Sequence, residues 1–158
     1  MISIIIPTIG RESLYQSVTS VRAFFRCYPE VQIIVVDNGL YSLSSEHLNF
    51  LYEKCCEVTR LENSSGVAEA RNRGIDQSRF EWLYFLDDDD RMLTDSKIDE
   101  NFFAFTCSGA DMAVFSAKEN GKEKPNWNNV NFEGFESIAA INTLPIGSFF
   151  VNKRRINS

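Results

Sequence analysis

The chain has 158 residues, 44% of them apolar and 24% charged, with 22 acidic against 16 basic residues and a formal net charge of −6. That length suits a single domain, and thirteen Phe, five Tyr and two Trp supply core-forming side chains that a disordered chain lacks. The acidic balance excludes wholesale binding to a nucleic-acid backbone, and the longest apolar runs, Ile4–Ile6 and Ile33–Val36, fall far short of the roughly 20 residues of a membrane span.

Ser3-Ile4-Ile5-Ile6, closed by Pro7, is a short apolar run of the kind buried on both faces of a parallel sheet. From Glu12 to Cys27 the apolar residues Leu14, Val18, Val21, Phe24 and Phe25 recur at helical spacing, and Tyr28-Pro29 stops the helix. Val31–Val36 is a second buried strand, ending at the turn sequence Asp37-Asn38-Gly39. A weaker helix is expected over Ser45–Cys55 and a third strand over Glu57–Leu61. Asn63-Ser64-Ser65-Gly66 offers helix-capping chemistry to a helix from Val67 to Ser78, in which Gly74 costs about 1 kcal/mol against Ala. Glu81–Leu86 is a fourth strand, running straight into Asp87-Asp88-Asp89-Asp90. Strands alternating with helices predict an α/β domain with a mainly parallel sheet flanked by helices.

The back half is less patterned. A helix over Lys97–Cys107, a strand over Asp111–Ala117, a polar loop over Asn120–Asn131, a short helix over Glu133–Ile141 and a late strand over Ile146–Asn152 are the expectations there. The whole of 1–158 reads as one domain, with 1–92 its strongly patterned half and 93–158 the other. Cys27, Cys55, Cys56 and Cys107 show no CxxC spacing, and the single His47 excludes multi-histidine metal sites, so reduced thiols are expected. No basic n-region precedes an apolar stretch, so a cytoplasmic location is expected, with peripheral contact at the inner face of the membrane compatible with it.

Ligands of parallel α/β sheets bind beyond the carboxyl ends of the strands. Three such ends carry polar residues here: Pro7-Thr8, Asp37-Asn38-Gly39 and the aspartate run. If the first, second and fourth strands are neighbours, Asp37 and Asp87–Asp90 share one rim, and no run of Lys or Arg adjoins them in sequence. A divalent cation with oxygen ligands, Mg2+ or Mn2+, resolves that repulsion and lets an acidic protein take an anionic nucleotide. Each residue also has a plainer reading: a solvated acidic loop for Asp87–Asp90, a turn former for Asp37 and a helix-surface charge for Arg71.

Four segments taken together, Ser3-Ile4-Ile5-Ile6-Pro7-Thr8, Ile34-Val35-Val36-Asp37-Asn38-Gly39, Asn63 through Gly74 with its Gly66-Val67-Ala68-Glu69-Ala70-Arg71-Asn72-Arg73-Gly74, and Phe85-Leu86-Asp87-Asp88-Asp89-Asp90, resemble the family 2 glycosyltransferases. The resemblance covers residues 2 to about 92 and implies a GT-A, Rossmann-like fold. It implies that Pro7, Thr8 and Asp37 hold the nucleoside, with Asp37 accepting a hydrogen bond from the base, and that Arg11, Asn38, Gly66, Arg71, Asp87 and Asp88 also belong to the donor site. In the Asp-x-Asp motif Asp87 contacts ribose or metal, and Asp89 is the direct metal ligand. The implied reaction moves a sugar from a nucleotide diphosphate-sugar, a UDP-sugar first among them, to the hydroxyl of a saccharide or lipid-linked saccharide in polysaccharide biosynthesis, with inversion. The chain departs from the family pattern at Ile9-Gly10, Asn38 and Leu40.

An inverting transfer also needs a general base, and no acid follows Arg155, so Glu133 and Glu136 are the nearby acids and the base stays unidentified. The acceptor half therefore reads as incomplete, and homo-oligomerisation is one way an exposed apolar face there would be covered. The alternative is a non-catalytic nucleotide-sugar or metal-binding module. Response-regulator and haloacid-dehalogenase-type phosphoryl chemistry is disfavoured, because Pro7-Thr8 stands where the first needs an acidic pair, and Arg91 stands two residues beyond Asp89, after a fourth strand, where the second needs Thr or Val after its first.

Overall fold

The computed structural model describes residues 1–26, 30–62, 66–93, 106, 109–114, 118–119, 122–123 and 149–155. Strand β1 (Ile2–Thr8) leads through α1 (Ser13–Phe24) to β2 (Val31–Asp37), and α2 (Ser45–Glu53) leads to β3 (Glu57–Arg60). Then α3 (Val67–Gln77) leads to β4 (Trp82–Phe85), and the short strands β5 (Met112–Val114), β6 (Lys118–Glu119), β7 (Lys122–Glu123) and β8 (Phe149–Asn152) follow. Six strands form one sheet in the order β3-β2-β1-β4-β8-β5. β1 to β4 run parallel, while β8 lies antiparallel between β4 and β5. The sheet is therefore mixed, an α/β Rossmann-like layer with a parallel front and an antiparallel insertion.

The alternation along each central strand divides the core between two faces. Ile2, Ile4 and Ile6 of β1, Ile33 and Val35 of β2, and Trp82 and Tyr84 of β4 pack with Leu14, Val18 and Val21 of α1 and Leu51 of α2. Ile5, Ile34, Val36, Leu83 and Phe85 pack with Ala70 of α3 on the opposite face. The register explains the division, since Ile4 lies level with Ile33 and Tyr84, and Ile5 with Ile34 and Phe85. Side chains of adjacent parallel strands at one level share a face.

All four front strands and three helices lie within a few residues of their expected positions. The first helix ends at Phe24 rather than Cys27, and α3 begins on Gly66, at φ +93°, with no side-chain cap. That left-handed backbone is one a glycine adopts without Cβ strain. Gly74 costs α3 propensity, yet a Cβ there would lie inside contact with Ile5 Cγ2, so the glycine is what allows α3 to seat on β1. The expected helices over 97–107 and 133–141 and the loop over 120–131 lie outside the described residues, apart from Thr106 and the two residues of β7. Glu133 and Glu136 also lie outside them. Among the described residues no helix is long and apolar enough to cross a membrane.

Candidate functional site

The chain order reverses across β1: β2 and β3 lie on one side of it and β4 on the other. Such a switch point opens a crevice at the carboxyl ends of the strands. A cleft of about 260 Å3 occupies that position, lined by Pro7, Thr8, Ile9, Arg11, Asn38, Val67, Arg71, Asp87, Asp88 and Asp89.

The four aspartates are not equivalent. Asp88 is buried, with Thr8 Oγ1 donating to its Oδ2 at 2.6 Å and Arg11 Nη1 to its Oδ1 at 2.8 Å. Asp87 accepts from Arg71 Nη2 at 2.6 Å and keeps 40% of its side chain exposed. Asp89 is 61% exposed, with Arg11 Nη1 at 3.4 Å as its charged neighbour. The carboxyl of Asp90 is held above its ordinary range, first by desolvation and then by the charges of Asp87 and Asp89. The run's backbone is clamped from below: Ser17 Oγ of α1 lies 3.0 Å from the Asp88 carbonyl and 2.6 Å from the Asp90 carbonyl, and Met92 N–H donates to Ser20 Oγ.

Asp37 lies level with Thr8 at the end of β2, as the shared rim requires, but its side chain turns into its own loop. Its Oδ1 accepts from Gly39 N–H at 3.0 Å, and its Oδ2 accepts from Leu43 N–H at 3.1 Å and Arg60 Nη1 at 2.5 Å. Arg60 also donates to the Gly39 carbonyl. Asn38, buried, donates its N–H to the Thr8 carbonyl at 2.8 Å and lines the cleft. Of the donor-site residues expected from sequence, Pro7, Thr8, Arg11, Asn38, Arg71, Asp87, Asp88 and Asp89 line this cleft; Asp37 and Gly66 flank it without lining it.

Arginines from three distant elements answer the acidic rim, which sequence adjacency alone did not reveal: Arg11 at the start of α1, Arg60 on β3 and Arg71 on α3. The signal for Arg60 was its register, since a parallel third strand beside β2 sets it level with Asp37. For Ser17 the signal was a hydroxyl among the buried residues of α1. Ile9 and Val67, both half-exposed, add apolar surface to the cleft and carried no motif.

Five carboxylates against three arginines leave the rim with an excess of negative charge. Among the described residues no cluster of three His, Cys, Asp or Glu side chains is arranged to hold a metal ion. The exposed Asp89, with Asp87 beside it, nevertheless fits Mg2+ or Mn2+, which characteristically takes about one or two carboxylates and completes its shell with water and phosphate oxygens. Arg71 adds a buried Nε–H with no partner among the described residues, at a position where a further acceptor is needed.

Known proteins resemble this chain in sequence and in fold. An uncharacterized glycosyltransferase of Haemophilus influenzae is 34% identical over 94 residues, 57% of this chain and 30% of its own length. One of Rickettsia bellii is 28% identical over 156 residues, 92% of this chain and 21% of its own length. The chain thus spans well under half the length of these relatives. Residues 1–349 of S. aureus TarS in complex with UDP-GlcNAc superpose with a TM-score of 0.73 at 22% identity, over 99% of this chain and 46% of that one, which shows a shared GT-A fold. The sequence pattern described as Glycosyl transferase family 2 matches residues 3–157, reaching from β1 into the last described turn, and the chain belongs to that family.

Proposed function

We propose that the cleft binds a nucleoside diphosphate-sugar, a UDP-sugar first among the candidates, and that the chain acts in transfer of the sugar to an acceptor hydroxyl with inversion. The observation that carries this reading is the meeting of Thr8, Asn38, Arg71 and the aspartate run in one cleft at the switch point. The UDP-GlcNAc held by TarS, on the same fold, supports the choice of nucleotide.

Each group has a task its chemistry suits. Three donors fix the buried Asp37 carboxylate, so its part is to shape the loop that carries Asn38 to the wall of the cleft. Arg60 holds that carboxylate in one orientation. Arg71 brings a guanidinium to the diphosphate side of the cleft, where a planar fork of donors matches phosphate oxygens. Asp89 and Asp87 would hold Mg2+ or Mn2+, and the bound cation would offset charge on the departing diphosphate. The acceptor is a saccharide or a lipid-linked saccharide.

Calorimetric titration of UDP, GDP and dTDP, each with Mn2+ and with chelator, tests the reading. Binding of UDP that Mn2+ strengthens is expected. Equal affinity for all three nucleotides regardless of Mn2+, or no binding, would overturn it.

A further inference from the structure

We infer that Asp88 is a positioning residue: it draws Arg11 away from Asp89 and so keeps Asp89 open to a divalent cation. The inference rests on the reading above that the cleft takes a metal-chelated nucleoside diphosphate. It concerns the one aspartate lining the cleft whose side chain is buried, 4% exposed with each oxygen already accepting a hydrogen bond.

A single guanidinium nitrogen lies between two carboxylates. Arg11 Nη1 sits 2.8 Å from Asp88 Oδ1 and 3.4 Å from Asp89 Oδ2. The shorter bond goes to the buried partner, where the attraction is less screened, and the longer one to a carboxylate that is 61% in water. Asp88 is fixed in that task from its other side. Thr8 Oγ1 gives its hydroxyl proton to Asp88 Oδ2 while accepting from Gly10 N–H at 3.0 Å, so the donor is itself oriented. Ser17 beneath the loop holds the Asp88 and Asp90 carbonyls, which fixes where the Asp88 side chain starts.

Arg11 is half-exposed and long, and among the described residues the short bond to Asp88 is the stronger of the two contacts that hold its head. With Asp88 uncharged, the nearest full negative charge to Arg11 is Asp89. The arginine then competes with a cation for the same oxygens. An exposed ion pair is worth up to a factor of about five in an equilibrium constant, and that is the size of the competition expected.

The experiment measures UDP affinity with Mn2+ and with chelator for the full chain, and takes the ratio as the metal enhancement. Asp88→Asn should lower the enhancement about fivefold. Arg11→Met should keep it at or above the wild-type value, and Asp88→Asn/Arg11→Met should restore it to at least that value, even where absolute UDP affinity falls. A purely structural role for Asp88 would not be repaired by deleting Arg11. An unchanged enhancement in Asp88→Asn, or a double variant as low as Asp88→Asn, overturns the inference. The Arg11→Met arm decides even if Asp88→Asn does not fold, since a several-fold fall there has the same meaning. A wild-type chain without any Mn2+ enhancement instead overturns the functional reading beneath it.

Discussion

Replacing Gly74 by alanine sets two effects of opposite sign against each other. Helix propensity alone favours the alanine by about 1 kcal/mol. The new Cβ, however, would meet Ile5: inside contact with Cγ2, 3.0 Å from Cγ1 and 3.2 Å from Cβ. Ile5 is fully buried on a strand flanked by β2 and β4, so it has nowhere to retreat and α3 must lift. Inserting one methyl group into a packed interface costs about 1–3 kcal/mol, so the net expectation is a loss of about 1 kcal/mol and about 2–4 °C in Tm. Because Arg71 precedes Gly74 by one turn and reaches Asp87 at 2.6 Å, the lift should also weaken UDP binding. Urea unfolding and calorimetry read the two effects. Ile5→Ala alone should cost about 2–5 kcal/mol, and less in the Gly74→Ala background, because the atoms removed are those the new Cβ strikes. A stabilisation of about 1 kcal/mol by Gly74→Ala, or strictly additive costs in the pair, would refute the close approach.

Asp89→Asn should abolish the Mn2+ enhancement of UDP binding while changing stability by less than about 0.5 kcal/mol, since the carboxylate is 61% exposed; unfolding of the variant would make the aspartate structural. Ser17→Ala should cost about 1–3 kcal/mol by removing the hydroxyl donor that the Asp88 and Asp90 carbonyls share, and should speed amide exchange over residues 88–92, as urea unfolding and exchange mass spectrometry would show. Burial lifts the Cys56 thiol from its ordinary 9.0 to about 11, so alkylation should label the exposed Cys55 before Cys56, as peptide mapping would show. The folded pKa is the higher one, so the stability this thiol contributes is complete below pH 9.0 and lost as pH rises toward about 11. A Cys56 modified as fast as Cys55 would contradict that burial.

The front of the fold was legible because β1, β2 and β4 are buried on both faces, and continuous runs such as Ile4–Ile6 and Ile33–Val36 have few other destinations. The strands themselves marked the site, since Thr8, Asp37 and Asp87 stand where three of them end. What sequence did not carry was charge pairing across the chain. Arg11, Arg60 and Arg71 lie tens of residues from Asp88, Asp37 and Asp87 or on another element, and only the sheet order and register bring each to its partner. The differing fates of Asp87, Asp88 and Asp89 were hidden for the same reason: adjacent residues in a turn point different ways, and burial decides which one is structural. The antiparallel β8 was visible as an apolar run, but its direction depends on connections that composition does not encode.

Paramagnetic broadening by Mn2+ of the backbone amide signals, recorded with UDP present, tests the placement of the site most directly. The account predicts broadening centred on Asp87–Asp90 and reaching Thr8 and Val67, with Glu57 and Trp82 at the opposite ends of their strands unaffected, and no such centre in Asp89→Asn. Broadening centred anywhere else, or an unchanged pattern in that variant, would contradict the claim that the cleft between β1 and β4 is a metal-assisted nucleotide site.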